Sequence, residues 1–402
     1  MAQDERKVVW ILGAGFSVPL GAPLFRELIS EKTLRRLLTW KEFAHQKAFM
    51  NVPQDTPGTF HGKHLDVYAM AAITRALYWA GFDAAGGASL WSDPEQFLET
   101  LEIASSEPDG VLAKELRWLL RGVKDQGSKE PSFDDALKVF EAKDGLVHIH
   151  REAVRLVAAA CSMFLLRAEA NPALVRESEQ WSPYRRWVRK LRAGSDSVIT
   201  FNYDRVLNIL NEYLLGLYKG SLHNPPVLDS PVGCNLDKFD AQRSGTIPMY
   251  HLHGHVGWQT APNGEVQCGK EESNGLRPDV ARAHIEPALA LMGTPGKSKT
   301  GLHTGLLQEA WRRAMMAISE ATTVVFVGYR FPETDSVAKE QLADALRNNP
   351  KAIVHVVLGA NNVDMPRLKG MIEWTRDKNT NPVHVHEMWC QDFFAVFERN
   401  GL

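Results

Sequence analysis

The chain has 402 residues, 44% of them hydrophobic, enough to bury a large core as one big domain or two ordinary ones. Lys plus Arg (46) nearly balance Asp plus Glu (48), giving a formal net charge of −2, which excludes a broad nucleic-acid or anionic-membrane footprint. Its four cysteines, Cys161, Cys234, Cys268 and Cys390, contain no CxxC pair, which argues against both a disulfide framework and a thiolate zinc site. The N-terminal apolar run is too short for a signal peptide and no long apolar stretch follows, so a cytoplasmic protein with no membrane contact is expected.

The first strand is predicted at VVWIL, residues 8–12, a short β-branched run broken by Gly-Ala-Gly in the manner of a buried parallel strand. A helix is expected through residues 24–29. From about 30 to 193 the periodicity is helical, in LDVYAMAAITRALYWAG (65–81), AKELRWLLRG (113–122) and REAVRLVAAACSMFLLRA (151–168). Strands resume at SVITF (197–201), PMYHL (248–252), TTVVFVG (322–328), AIVHVVLG (352–359) and PVHVH (382–386). Amphipathic helices lie between them at 205–218, 306–321 and 336–347, while 224–248 and 262–277 read as loops. Alternation of this kind predicts an α/β fold: a Rossmann-type doubly wound parallel sheet from residues 1–30 and 195–402, with a large helical insertion at 31–194.

Five motifs could carry chemistry. GAGFSVPLGAP (13–23) sits at a strand-to-helix turn, where glycines let a backbone turn tightly and offer amides to a phosphate. It is not the dehydrogenase fingerprint, because Val18 holds the third glycine position, and a plain glycine turn is its alternative reading. TFNYD (200–204) puts Asn202 and Asp204 at a strand's carboxyl end, where open α/β sheets bind ligands; Asp204 could instead simply cap the next helix. GYRFPETD (328–335) does the same with Gly328 and Asp335, with the same alternative. GTPGKS (293–298) has too few residues between its glycines for a phosphate loop and reads as a structural or substrate-lining loop.

YHLHGHVGW (250–258) alternates three histidines, so a regular strand would place His251, His253 and His255 on one face and could build a metal site. Gly254 is expected to end the strand and break that period, leaving His255 aimed elsewhere and His253 as the one chemical histidine, with no metal.

Taken in order, GAGFS, TFNYD, LHG and VGYRFPETD resemble the sirtuin-like NADase domains of bacterial antiphage defence proteins, over roughly residues 7–30 and 195–360. DPEQFLETLE (93–102) resembles a helix of that family's insertion. The resemblance implies NAD+ as substrate, contacted by Gly13, Ala14, Gly15 and Ser17, with Asn202 beside the nicotinamide ribose and His253 as the active-site histidine. Asp204, Gly328 and Asp335 fall in matching motifs. Deacetylating sirtuins carry a zinc module with two CxxC pairs; this chain has none, which favours NAD+ hydrolysis over sirtuin-type deacylation, with ADP-ribosyl transfer from the same pocket as an alternative, while the presence of both Asn202 and His253 weighs against an inactive NAD or ADP-ribose sensor. By the same resemblance the chain would deplete NAD+ in abortive infection, as a homo-oligomer and with a possible partner such as a ring ATPase or an Argonaute-like protein. Trp79, Trp91, Trp118, Trp181 and Trp187 could supply an aromatic interface or fill the insertion's core.

Overall fold

The computed structural model describes residues 6–24, 27, 94–122, 145–217, 227–229, 246–260, 266–268, 291–293, 305, 307–332, 335–360, 362–374, 381 and 383–400. By their contacts, Met1–Ala22, Phe164–Cys268 and Thr300–Leu402 make one compact unit, and Pro23–Met163 with Gly269–Lys299 make a second.

The first unit contains nine described strands: β1 (Val8–Leu12), β2 (Ser197–Thr200), β3 (Val227–Asp229), β4 (Thr246–His251), β5 (Trp258–Thr260), β6 (Val266–Cys268), β7 (Thr323–Val327), β8 (Ile353–Leu358) and β9 (Val383–Glu387). Seven of them form one sheet in the order β3-β4-β2-β1-β7-β8-β9, every neighbouring pair parallel. The other two, β5 and β6, form an antiparallel hairpin. From β1 the chain builds outward through β2 to β3 at the edge, steps back to β4 between them, then returns to place β7 on the other side of β1 and builds outward again. That reversal makes the sheet doubly wound, and it lies between β1 and β7, where such sheets open a crevice at their carboxyl ends.

Burial explains why these runs are strands. All five residues of β1 and of β7 are buried, so both faces of the sheet centre are covered, as the continuous apolar runs require. On one face Val8, Trp10 and Leu12 join a core with Tyr184 and Trp187 of a helix at Ser182–Val188, and with Phe393 and Phe394 of the C-terminal helix Cys390–Asn400. Trp10 meets Trp187 edge-on at 5.6 Å, and Trp187 stacks on Phe394 at 5.3 Å. Trp181 and Trp187 are therefore core residues, as the packing alternative has it, though of the sheet unit rather than of the insertion; Trp79, Trp91 and the side chain of Trp118 lie outside the described residues.

The expected strands and the helices at Val206–Leu217, Gln308–Glu320 and Ser336–Arg347 are all present. Two expected loops are not wholly loops: β3 lies within 224–248 and β6 within 262–277. Both are three residues long, too short to show a period of two. The expected helix at 65–81, most of that at 24–29 and all of GTPGKS beyond Gly293 lie outside the described residues.

In the second unit the helix Pro94–Ser106 packs against both Val111–Gly122 and Gly145–Met163, and its Phe97, Leu98 and Leu101 are buried. Among the described residues no helix is long and apolar enough to cross a membrane.

Candidate functional site

Four carboxyl ends, those of β1, β2, β4 and β7, bring the sequence-predicted residues to one edge of the sheet. After β1 the chain makes a single helical turn, Ala14–Ser17, and a 3-10 turn, Val18–Leu20. Gly13 donates its N–H to the Val327 carbonyl (2.9 Å) and Gly15 to that of Gly328 (3.0 Å), so the turns after β1 and β7 lie backbone on backbone. A Cβ on Gly328 would come within 2.4 Å of the Gly15 Cα, and Gly328 has φ +65°, so only glycine fits there. The glycines thus serve close approach. The amides of Gly13 and Gly15, expected to face a phosphate, are engaged inside the fold, while Ala14 is exposed at the edge.

The turn after β2 is tied to this one. Asn202 donates from Nδ2 to the Gly13 carbonyl (3.0 Å) and to the Ser17 hydroxyl (3.2 Å). Its backbone N–H goes to the Thr200 hydroxyl at 3.1 Å. Both amide hydrogens are therefore occupied by the fold, which sets the amide's orientation and leaves Oδ1 as the group Asn202 can offer: an acceptor. Ser17, wholly buried, in turn hydrogen-bonds the Asp204 carboxylate, which also accepts the Val206 N–H at 3.0 Å as a helix cap. Burial pushes the Asp204 carboxyl up to about 6, against the hydrogen bonds from Val206 and Ser17.

The ladder continues past the strands: Leu252 N–H donates to the Thr200 carbonyl and Val256 N–H to that of Tyr203, each at 3.0 Å, holding the histidine turn beside TFNYD. β4 stops at His251, and Gly254 takes φ +81°. The three histidines consequently do not share a face. His251 and His255 meet edge-on at 4.8 Å, so His255 is turned toward His251 rather than away from it, and it is His253 that stands apart. His255 accepts the Gly257 N–H at Nδ1 (2.9 Å), which places its proton on Nε2, facing Asn208 Oδ1 at 3.0 Å. Burial holds His251 down at about 4 and His255 well below the usual histidine range, so both are neutral packing groups.

His253 is buried and packs its ring edge-on against Phe201 at 4.8 Å. Its Nε2 lies 3.7 Å from Oδ1 of Asp335. Asp335 occupies the N-cap position of the helix Ser336–Arg347 but makes no capping hydrogen bond with its side chain. Its Oδ2 instead accepts the Tyr329 hydroxyl at 3.1 Å. Tyr329 stacks flat on Phe201 at 4.2 Å, closing a ring of Phe201, His253, Asp335 and Tyr329. The loop that does this holds Phe331 at φ +52°, a strained value for a residue other than glycine, with its ring buried against Phe326 and Tyr329.

Tyr329, Phe201 and Trp311 were not singled out by sequence. Tyr329 and Phe201 sat inside quoted motifs, where an aromatic reads as packing. Trp311 lies on a helix far along the chain and reaches the site by donating Nε1–H to the Leu252 carbonyl at 3.0 Å, a contact no local pattern signals. Among the described residues no group of three His, Cys, Asp or Glu side chains is arranged to hold a metal ion.

No family model matches this sequence, and no curated protein does. Solved structures that it is similar to include Sir2 in complex with the inhibitor EX-527, 2'-O-acetyl-ADP-ribose and a deacetylated p53 peptide (12% identity, 98% of this chain and 94% of that one, TM-score 0.31). Others are Sir2Tm bound to a propionylated peptide (14%, 98% and 93%, TM-score 0.31) and a Sir2–p53 peptide–NAD+ complex (13%, 98% and 93%, TM-score 0.29). TM-scores this low carry no weight for chemistry; the α/β, doubly wound assignment stands on the chain's own strand order.

Proposed function

We propose that the chain is an NAD+ glycohydrolase, splitting NAD+ with water into nicotinamide, ADP-ribose and a proton. The observation that carries this reading is that the strand ends around the sheet's switch point carry both an amide acceptor held in one orientation (Asn202, after β2) and a histidine facing a buried carboxylate (His253, after β4, with Asp335, after β7). The four motifs in order support it. Breaking the bond between ribose and nicotinamide builds positive charge on the sugar, as in glycoside hydrolysis. Asn202 Oδ1 would accept a hydrogen bond from a ribose hydroxyl or from the attacking water. His253 would take the water's proton as its oxygen bonds to the sugar, while nicotinamide leaves with the bonding electron pair. The pyrophosphate would be met by donors other than the Gly13 and Gly15 amides. The NAD-depleting role in antiphage defence, self-association and an operon partner belong to the same reading and rest on the sequence resemblance.

The test is purified protein with NAD+, assayed for nicotinamide and ADP-ribose, alone and with the proteins encoded beside it. Release without any acceptor supports hydrolysis. Release only with an acylated peptide or an acceptor protein would assign the site to deacylation or ADP-ribosyl transfer, and NAD+ binding without turnover would make it a sensor.

A further inference from the structure

The two aspartates that end a turn on this edge are turned to different partners. Asp204 caps its helix. Asp335 sits at a helix start, buried, and makes no cap; its two oxygens face Tyr329 and His253. We infer that Asp335, clamped by Tyr329, is the positioning residue of His253, setting its ring orientation and the nitrogen that carries its proton, rather than a contact for the nucleotide. The inference deepens the glycohydrolase reading and rests on it for its catalytic meaning.

Three observations converge. The His253 Nε2 to Asp335 Oδ1 separation of 3.7 Å is within ion-pair reach, so a proton gained by the ring is met at once by a countercharge. A carboxylate at Nε2 favours the tautomer protonated there, which leaves Nδ1 as the basic nitrogen. Tyr329 fixes both partners, Asp335 through its hydroxyl and His253 through Phe201, which lies flat on Tyr329 and edge-on to the imidazole. Tyr203, a further titratable group, lies 6.3 Å from the ring between centroids, and Phe201 and Trp311 also pack near it. The strained Phe331 lies between Tyr329 and Asp335, so the loop accepts an unfavourable backbone while presenting both.

The experiment reads His253 directly. In the full chain with carbon-13-labelled histidine, the His253 signal is assigned by its loss in His253→Gln and followed against pH. Asp335→Asn should lower its titration midpoint by about one unit or more, since an opposite charge at this range holds the protonated form. Tyr329→Phe should shift it in the same direction by less. In NAD+ cleavage, Asp335→Asn should lower kcat at least about tenfold with KM unchanged, and move the acid limb of the pH profile to lower pH. An unchanged midpoint in both variants would overturn the inference, as would a raised KM for NAD+ with the midpoint unmoved, which marks a ligand contact. If Asp335→Asn does not fold, the Tyr329→Phe titration decides alone. Wild-type protein that never releases nicotinamide would overturn the glycohydrolase reading, while the titration still decides the pairing.

Discussion

The turns TFNYD and GYRFPETD follow β2 and β7, the two strands that flank β1, and each runs from a buried strand to an aspartate at a helix start. Their aspartates do different work. Asp204 accepts the N–H of Val206, two residues on in its own chain, and the Ser17 hydroxyl from the turn after β1, and so steadies Asn202 from behind. Asp335 faces the histidine that follows another strand and accepts the hydroxyl of Tyr329 from its own turn. A turn signature specifies where an aspartate sits in its chain; what it does depends on which other turns the sheet brings to it.

The largest effect expected on this edge is at Gly328, where both turns depend on close backbone contact. Gly328→Ala combines a positive φ with a 2.4 Å approach to Gly15, and should cost more stability than any other single change discussed, seen as loss of soluble folded protein or the lowest thermal midpoint. A variant melting within a few degrees of wild type would show that the two turns can part.

Next come the groups the two aspartates serve. Under the proposed reading, Asn202→Ala and His253→Ala should each lower NAD+ cleavage by ~10²–10⁴-fold while the protein stays folded. His251→Ala and His255→Ala should keep substantial activity and instead lower the thermal midpoint, because those rings pack against each other and Trp258. If all three histidine variants lost activity together and a chelator silenced the wild type, a metal site would replace the single-base reading.

The aspartates themselves differ more modestly in stability. Asp204→Ala should lose a helix cap, about 1 kcal/mol in denaturant unfolding. Asp335→Ala removes no cap, so its effect on kcat should exceed what its effect on folding explains. Equal stability losses with equal activity losses would erase the distinction.

The smallest effect is in pH. The Asp204 carboxyl rises from 3.8 to about 6 on folding, so its contribution favours the fold below pH 3.8 and is lost as pH rises through about 6. His251 works in the opposite sense: its value falls from 6.5 to about 4, so its contribution is present above 6.5 and lost as pH falls toward 4. Asp204→Asn keeps a capping side chain and removes only the first dependence. The thermal midpoint of Asp204→Asn minus that of wild type should therefore grow between pH 4 and 7; a constant difference would mean Asp204 does not titrate there.

Much of this was legible in the residues. VVWIL and TTVVFVG announce buried parallel strands because β-branched runs covered on both faces have no other economical fold, and the glycine after each marks where the chain must turn. The positions of Asn202, Asp204 and Asp335 at strand ends followed from that alternation alone. Gly254 could be read as a break in the histidine period because its freedom to take positive φ is a local property. The three-residue strands β3 and β6 were not legible, since they offer too little pattern to separate from a loop. Nor was the use of the Gly13 and Gly15 amides, which depends on β7 lying beside β1, more than three hundred residues away in sequence. The same holds for the Asn202 amide's orientation and for the meeting of Tyr329, Asp335 and His253. Each is set by a side chain or carbonyl from another strand. Local patterns determine conformation; only the order of strands in the sheet decides which groups are close enough to share a proton.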